Sequence, residues 1–335
     1  MPTVTLAESA KLTNDMLLSG VIESIHTVDR FFDVLPFTSI EGNALAYNRE
    51  GLTVAATQDA LVRFYSSDSM QTEPFAHADD DVIGGEAATN GITSKSATTF
   101  ARITSTLTTI VGDAEVNGLI QATRSDFNDQ RGVQVAAKAK AAGRRYRNTL
   151  INGDGTADTF VGLINLCAGG QTIPVADGGG ALAFADLDAL MDAVVDKDGE
   201  VDYMIMSAPA LRNFFTLLRA LGGAAIGETV TLPSGTQVPS YRSVPIFRND
   251  YVPNNLGGGV NETIIFAGTL DDGSGLHGIS GLTAMNAAGV QVENVGIHQY
   301  KDETITRVKW YCGLALYSEL GLACLTGHIP ASGVV

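Results

Sequence analysis

Charged side chains are scarce in this 335-residue chain, at 17% of the total, against about 25% in an average globular domain. Long hydrophobic runs are missing too: no stretch of about eighteen apolar residues is present to cross a bilayer as a helix. Residues 1–10 lack the basic start and apolar centre of a secretory signal. Positive charge is the rarer sign, with 21 Lys+Arg against 37 Asp+Glu and a net charge of −16. That balance argues against nucleic-acid binding as the main function. Cysteine is limited to Cys167, Cys312 and Cys324, with no CxxC pair and no zinc-ligand spacing, so neither a disulfide framework nor a metal site is expected. Their default role is as small buried apolar groups. Apolar residues at 45% exclude a disordered chain. A soluble, reduced, intracellular type of chain remains.

Signatures of catalysis are also lacking. The run Asn152-Gly153-Asp154-Gly155-Thr156 starts like a calcium loop, but Ala157 stands where glycine is required and Leu163 where a bidentate glutamate is needed. It reads as a tight turn built from Asn, Gly and Asp, as does 271–275. The glycines of 178–180 and 278–281 fit neither GxGxxG nor a phosphate cradle. There is no GxSxG elbow and no HExxH, and the five histidines are scattered. No catalytic, cofactor or metal residue is assigned, and an enzyme is not expected.

What is present is a patterned mixture of helices and strands. Residues 6–29 carry a helical stripe (Leu18, Val21, Ile22, Ile25, Val28), which Pro36 ends. Residues 37–48 read as extended around Glu41-Gly42-Asn43. From about 50 to 99 few residues can anchor a core. Asp68, Glu73, Asp79, Asp80, Asp81 and Glu86 lie there, with no Lys or Arg between Arg63 and Lys95. This predicts a long acidic hairpin or loop projecting from the body, although a merely solvated insertion has the same composition. Residues 98–111 alternate as a strand, and 116–127 form a short amphipathic segment.

A second helix is expected from Asp129, a suitable N-cap, to about 148–149, with Val135, Ala139, Ala142, Tyr146 and Leu150 as its apolar stripe. Arg131, Lys138 and Arg145 recur every seven residues on it, with Lys140, Arg144 and Arg147 beside them. Seven positive and two negative residues between Arg124 and Arg147 make a local +5 inside a −16 chain. Nucleic acid, a solvated helix face and an acidic partner segment each account for that inversion. Beyond the Asn-Gly-Asp turn the pattern is α/β. A helix around 187–195 precedes a buried strand at 203–206. A helix capped by Ser207 follows, with Pro209 in its first turn. Extended segments at 244–247, 263–267, 290–295 and 305–312 lead to an apolar tail, 314–325. Low surface charge is what neighbouring copies covering the exterior would require, though a composition bias towards small residues produces the same figure.

Residues 145–156, Arg-Tyr-Arg-Asn-Thr-Leu-Ile-Asn-Gly-Asp-Gly-Thr, followed by Gly162-Leu163, resemble the passage after the long helix of tailed-phage major capsid proteins. Those proteins share the Hong Kong phage-type fold with encapsulin shells. The helix led by Ser-Ala-Pro-Ala (207–210) and the strand Val-Pro-Ile-Phe-Arg-Asn-Asp-Tyr-Val-Pro (244–253) are similar in order and residues. The resemblance covers most of 30–330 in element order and implies an α+β fold. It implies an N-terminal arm and first strand at 1–47, an extended E-loop hairpin at 48–100, and a peripheral domain at 101–179 with a spine helix at about 129–149. An axial domain would occupy most of 180–300, and C-terminal strands at 301–335 would be shared with the peripheral domain.

The implied function is structural: a subunit assembling with itself as pentamers and hexamers into the icosahedral shell around a tailed bacteriophage's double-stranded DNA. It would enclose that DNA without sequence-specific binding, touch no membrane, and assemble in the host bacterial cytoplasm into the virion capsid. Portal, scaffolding and possible decoration proteins are implied partners. The acidic E-loop residues Asp68 to Glu86 are expected near a neighbour's basic residues, with Arg131, Lys138 and Arg145 as candidates. Lys95 is the sole E-loop lysine, near the hairpin base, and no acidic catalyst or acceptor asparagine is assigned for crosslinking. An encapsulin-type compartment shell and an α/β enzyme in 150–330 are the alternatives.

Overall fold

The computed structural model describes residues 30–50, 63–65, 72–74, 86–87, 91–92, 100–124, 130–156, 158–167, 171–175, 180–195, 199–220, 229–254 and 262–330. The helix read at 6–29, the cap Asp129 and Lys95 lie outside these. The first half of the chain supplies β1 (Phe37–Ile40), β2 (Ala44–Glu50), the short β3 (Arg63–Tyr65), β4 (Thr72–Pro74), β5 (Glu86–Ala87) and β6 (Gly91–Ile92), then β7 (Phe100–Thr106) and β8 (Thr108–Asn117). Helices α1 (Gly118–Arg124), α2 (Gln130–Asn152) and α3 (Leu163–Leu166) lead to β9 (Thr172–Pro174). The second half runs α4 (Phe184–Val195), β10 (Tyr203–Met206), α5 (Ala208–Ala220), β11 (Thr229–Thr231), β12 (Gln237–Tyr241), β13 (Val244–Arg248) and β14 (Thr263–Gly268). It ends with β15 (Ile279–Ala284), β16 (Gln291–Ile297), β17 (Glu303–Leu316) and β18 (Leu322–His328).

β17 organises a five-stranded sheet. Along one edge it pairs antiparallel with β8, from Glu303↔Asn117 to Cys312↔Thr108. Along the other it takes β16 and then β15, and β1 adds parallel to β15. The long helix α2 lies across β8 and β17 because its stripe meets alternate β17 side chains. Tyr146 stacks on Trp310 at 4.7 Å, tilts against Phe32 and Phe160, and donates to the Gly313 carbonyl at 3.3 Å. The helix runs three residues beyond the expected end at 149. Asn152 Nδ2 donates to Asn148 Oδ1 and to the Tyr251 carbonyl, 99 residues away, so a tertiary partner holds the last turn.

The seven-stranded sheet has the order β11-β12-β13-β10-β14-β18-β9. Its central strands are buried throughout, as strands covered on both faces must be. Successive side chains alternate between faces, which divides them between two cores. Tyr203, Ile205, Ile264, Phe266, Leu322 and Cys324 join the core with Tyr146, Leu150 and Trp310. Met204, Met206, Ile265, Ala267, Ala323 and Leu325 pack with Leu187, Leu190, Val194 and Phe214 of α4 and α5. Ser207 caps α5 as expected, its Oγ accepting from Ala210 N at 3.3 Å. Burying each large aliphatic side chain contributes about 1.5–3 kcal/mol, so the faces of these strands are strongly specified.

The 98–111 segment is not one strand. β7 pairs with β2 from Glu50↔Phe100 to Ala44↔Thr106, and after Leu107 the chain enters the five-stranded sheet as β8. β2 and β7 form a two-stranded ladder of their own, outside both large sheets. Its base is fixed: Tyr47 donates to the Leu316 carbonyl at 2.8 Å and meets Tyr317 edge-on at 5.2 Å. Among the described residues no helix is long and apolar enough to cross a membrane.

Candidate assembly elements

The hairpin stem grows from a physical conflict. β2 and β7 are long enough to pair but, among the described residues, pair only with each other, and an isolated two-stranded hairpin is marginal in water. Within the loop it carries, β3 pairs with β4 and β5 with β6. Glu73 lies on β4 and Glu86 on β5. Asp68, Asp79, Asp80 and Asp81 lie outside the described residues.

The basic stripe of α2 is divided by its surroundings. Arg131 Nε donates to Thr306 Oγ1 of β17 at 2.8 Å. The aliphatic stem of Lys138 lies over Gly112 of β8, where an added Cβ would sit 3.4 Å from the lysine Cδ. Arg145 is exposed. A seven-residue step falls only about 20° short of two full turns, so the stripe keeps to one side of the helix. For its first two members that side borders the chain's own sheet, with the long side chains laying their stems along it. On the sheet's other face Arg307 meets Asp113 through two hydrogen bonds of 2.7 and 2.8 Å. Arg307, assisted by the more distant Lys138, holds the Asp113 carboxyl below its ordinary range. Lys309 Nζ meets Glu293 at 2.6 Å beside it.

The turn after α2 is built by backbone contact. Gly153 N donates to the Thr149 carbonyl at 2.8 Å, and its own carbonyl accepts from Gly162 N at 2.9 Å and Asn165 Nδ2 at 2.7 Å. A Cβ on Gly153 would stand 2.0 Å from the Phe160 carbonyl oxygen, and one on Gly162 2.6 Å from that of Thr149. Only glycine fits at either position. Gly155 has φ +74°, the left-handed region open to glycine. The Asp154 carboxylate accepts from Thr156 N, Thr156 Oγ1 and Thr159 Oγ1 at 3.1, 2.8 and 2.5 Å. Those donors, Thr159 first, bring its pKa down to about 2. Asn152, Gly153, Asp154, Gly155 and Thr156 thus form a rigid corner between the spine of one sheet and the start of the other.

Two features carried no sequence signal of their own. β16 is an edge strand with exposed apolar side chains, Val292 at 54%, Val295 at 51% and Ile297 at 76%, and Tyr300 follows at 83%. Edge strands of soluble monomers are usually blunted with charge or proline. The other is the meeting of Cys167 and Cys324, whose Sγ atoms are 2.6 Å apart.

Among the described residues no three His, Cys, Asp or Glu side chains converge as a metal site needs. A cleft of about 470 Å³ is lined by Glu200, Asp202, Thr269, Asp272, His277 and Ser318. Burial raises the Asp202 carboxyl above its ordinary range, but Asp202 Oδ2 already accepts from Leu270 N at 2.8 Å. That contact gives it a structural role in closing the β14–β15 connection.

No protein-family model and no curated protein matches the sequence. Solved structures do match along the whole chain. The holo-SrpI encapsulin complex of Synechococcus elongatus PCC 7942 superposes with a TM-score of 0.68 at 20% identity, covering 100% of this chain and 99% of that one. The capsid of a native GTA particle gives 0.59 at 12% identity, covering 98% and 99%. A structure from Microbacterium phage Oxtober96 gives 0.56 at 14% identity, covering 98% and 100%. The fold expected from the resemblance is therefore the fold observed.

Proposed function

From the fold this chain shares with tailed-phage capsids and an encapsulin shell, we propose that it is a self-assembling shell subunit, the major capsid protein of a tailed bacteriophage. The observation that carries this is the superposition, over nearly the whole chain, on an encapsulin and on the capsid of a GTA particle. In a shell, the β2/β7 hairpin gains the partner surface it lacks alone, and the apolar edge at β16 is covered by a sister subunit. Residues 48–100 act as the E-loop, 101–179 as the peripheral domain and most of 180–300 as the axial domain, with 301–335 returning strands to the body. β17 pairs in the sheet under α2 and β18 in the other, which supports reading 301–335 as strands shared between the two domains. The acidic loop residues meet basic groups of a neighbour, and Arg145 is the exposed member of the candidate stripe.

Pentamers and hexamers of this subunit form an icosahedral container assembled in the host cytoplasm, with portal, scaffolding and decoration proteins as partners. A net charge of −16 suits a container whose DNA must be released, since a cationic lining would hold phosphates through counterion release. No catalytic step is assigned to it. The 0.68 superposition on an encapsulin favours a second reading, a compartment shell around a protein cargo. Negative-stain microscopy of the purified protein tests the shell: closed, uniform particles are expected, and monomers or small oligomers in every assembly condition refute it. Nuclease-protected double-stranded DNA in particles from the native source selects the phage reading, and a co-purifying protein cargo selects the compartment.

A further inference from the structure

Cys167 and Cys324 are 157 positions apart in sequence, yet the Cys167 thiol points at the Cys324 sulfur across 2.6 Å. Contact between uncharged heavy atoms settles near 3.5–4.0 Å, and a covalent S–S bond measures about 2.05 Å. The separation is nearer the second value. Both positions are fixed by unrelated elements: Cys167 caps the C-terminal end of α3, and Cys324 is paired with Thr172 in the β18–β9 ladder. Thr172 Oγ1 stands 3.4 Å from Cys324 Sγ and 3.8 Å from Cys167 Sγ. Cys167 is partly exposed, whereas Cys324 is 2% exposed, so a dissolved reagent reaches the pair through Cys167. The third cysteine, Cys312, is buried in β17, where desolvation pushes its thiol up to about 12.

We propose that Cys167 and Cys324 close an intrasubunit disulfide when the protein meets a low-molecular-weight disulfide oxidant such as oxidised glutathione. Cys167, the sulfur that solvent reaches, gives up its proton to water as it attacks one sulfur of the oxidant; a mixed disulfide forms and the first glutathione thiolate leaves. Cys324, as thiolate, then attacks Cys167 Sγ; the protein disulfide forms and the second glutathione thiolate leaves. The two thiol protons pass through water to the two departing thiolates. The protein is oxidised by two electrons and the oxidant reduced by two.

The local chemistry favours this exchange. The bond that Cys324 accepts from Cys167 holds Cys324 below the ordinary thiol range, while Cys167 is raised. Exposure rather than acidity therefore makes Cys167 the entry point, and Cys324 is the more acidic sulfur of the two. A metal is not the better occupant, because no third His, Cys, Asp or Glu ligand converges here among the described residues. Closure would tie the corner after α2, which borders the five-stranded sheet, to β18 in the seven-stranded sheet, and would brace the subunit whether or not it assembles.

The full-length protein, incubated with oxidised glutathione and then denatured, is titrated with a thiol reagent and mapped by mass spectrometry. Of its three cysteines, Cys312 alone is expected to titrate after oxidation, and all three after dithiothreitol. The chain should be two hydrogens lighter, with the Cys167 and Cys324 peptides linked and the link retained in Cys312→Ser. The melting midpoint should rise by roughly 5 °C on oxidation, and C324S should abolish that rise. Three titratable thiols after oxidation, glutathione left on Cys167 without closure, or a link to Cys312 would each overturn the proposal.

Discussion

Replacing Gly153 with alanine puts one methyl group where the backbone has no room. The new Cβ would lie 2.0 Å from the Phe160 carbonyl oxygen and 2.6 Å from that of Thr149. Neither is a flexible side-chain end, so the corner must open by more than an ångström. Opening it breaks the bonds from Gly162 N and Asn165 Nδ2 to the Gly153 carbonyl, at about 1 kcal/mol each. Overpacking adds roughly 1–3 kcal/mol, because Phe160 is buried against Tyr146 and cannot retreat freely. The sum is about 3–5 kcal/mol. Ten residues earlier, Gly143 has nothing within 4 Å of its hypothetical Cβ and sits inside α2. Alanine there should stabilise by about 0.5–1 kcal/mol. Guanidinium unfolding of dissociated subunits, at one protein concentration to remove linkage to assembly, reads both as shifts in midpoint. G153A should move down and G143A up. A G153A midpoint within about 0.5 kcal/mol of the parent would refute the packing account of the corner.

Trp310→Ala should cost about 3–5 kcal/mol, since Trp310 stacks on Tyr146 and joins Phe32 and Phe37 beneath α2; a loss below about 1 kcal/mol in the same titration would contradict that placement. Reversing Asp79, Asp80 and Asp81 to Lys should leave circular dichroism unchanged but impair particle formation, and normal particles would remove the charge-complementarity idea. Asp154 titrates near 2 in the folded chain against an ordinary 3.8. Its contribution to stability is thus complete above about 3.8 and is lost as pH falls through about 2. Asp154→Ala should flatten the acid limb of stability over that interval, and superimposable limbs would refute the role given to its carboxylate.

Local patterns were legible wherever the deciding forces were local. The apolar run at 203–206 became a doubly buried strand, the Ser207 cap formed, and the Asn-Gly-Asp corner appeared where glycine sterics demand it. What the pattern could not specify was the choice of partner. Residues 98–111 read as one strand because alternation continues through Leu107, but the pairing changes there from β2 to β17. The α2 terminus depends on Tyr251, which no helical period reveals. Arg131, Lys138 and Arg145 share a helix face by spacing, yet spacing is silent on whether that face meets a neighbour or β8 and β17. Cys167 and Cys324 are joined only by topology, so counting cysteines and their spacings could not pair them.

The most direct trial of the shell account is a cryo-electron-microscopy reconstruction of the assembled particle, tracing residues 48–100 from the β2/β7 stem. Density for this segment lying across an adjacent subunit, in a closed lattice of five- and six-membered rings, is the result expected. Density that returns onto its own subunit, or a protein that never leaves the monomeric state, would contradict it.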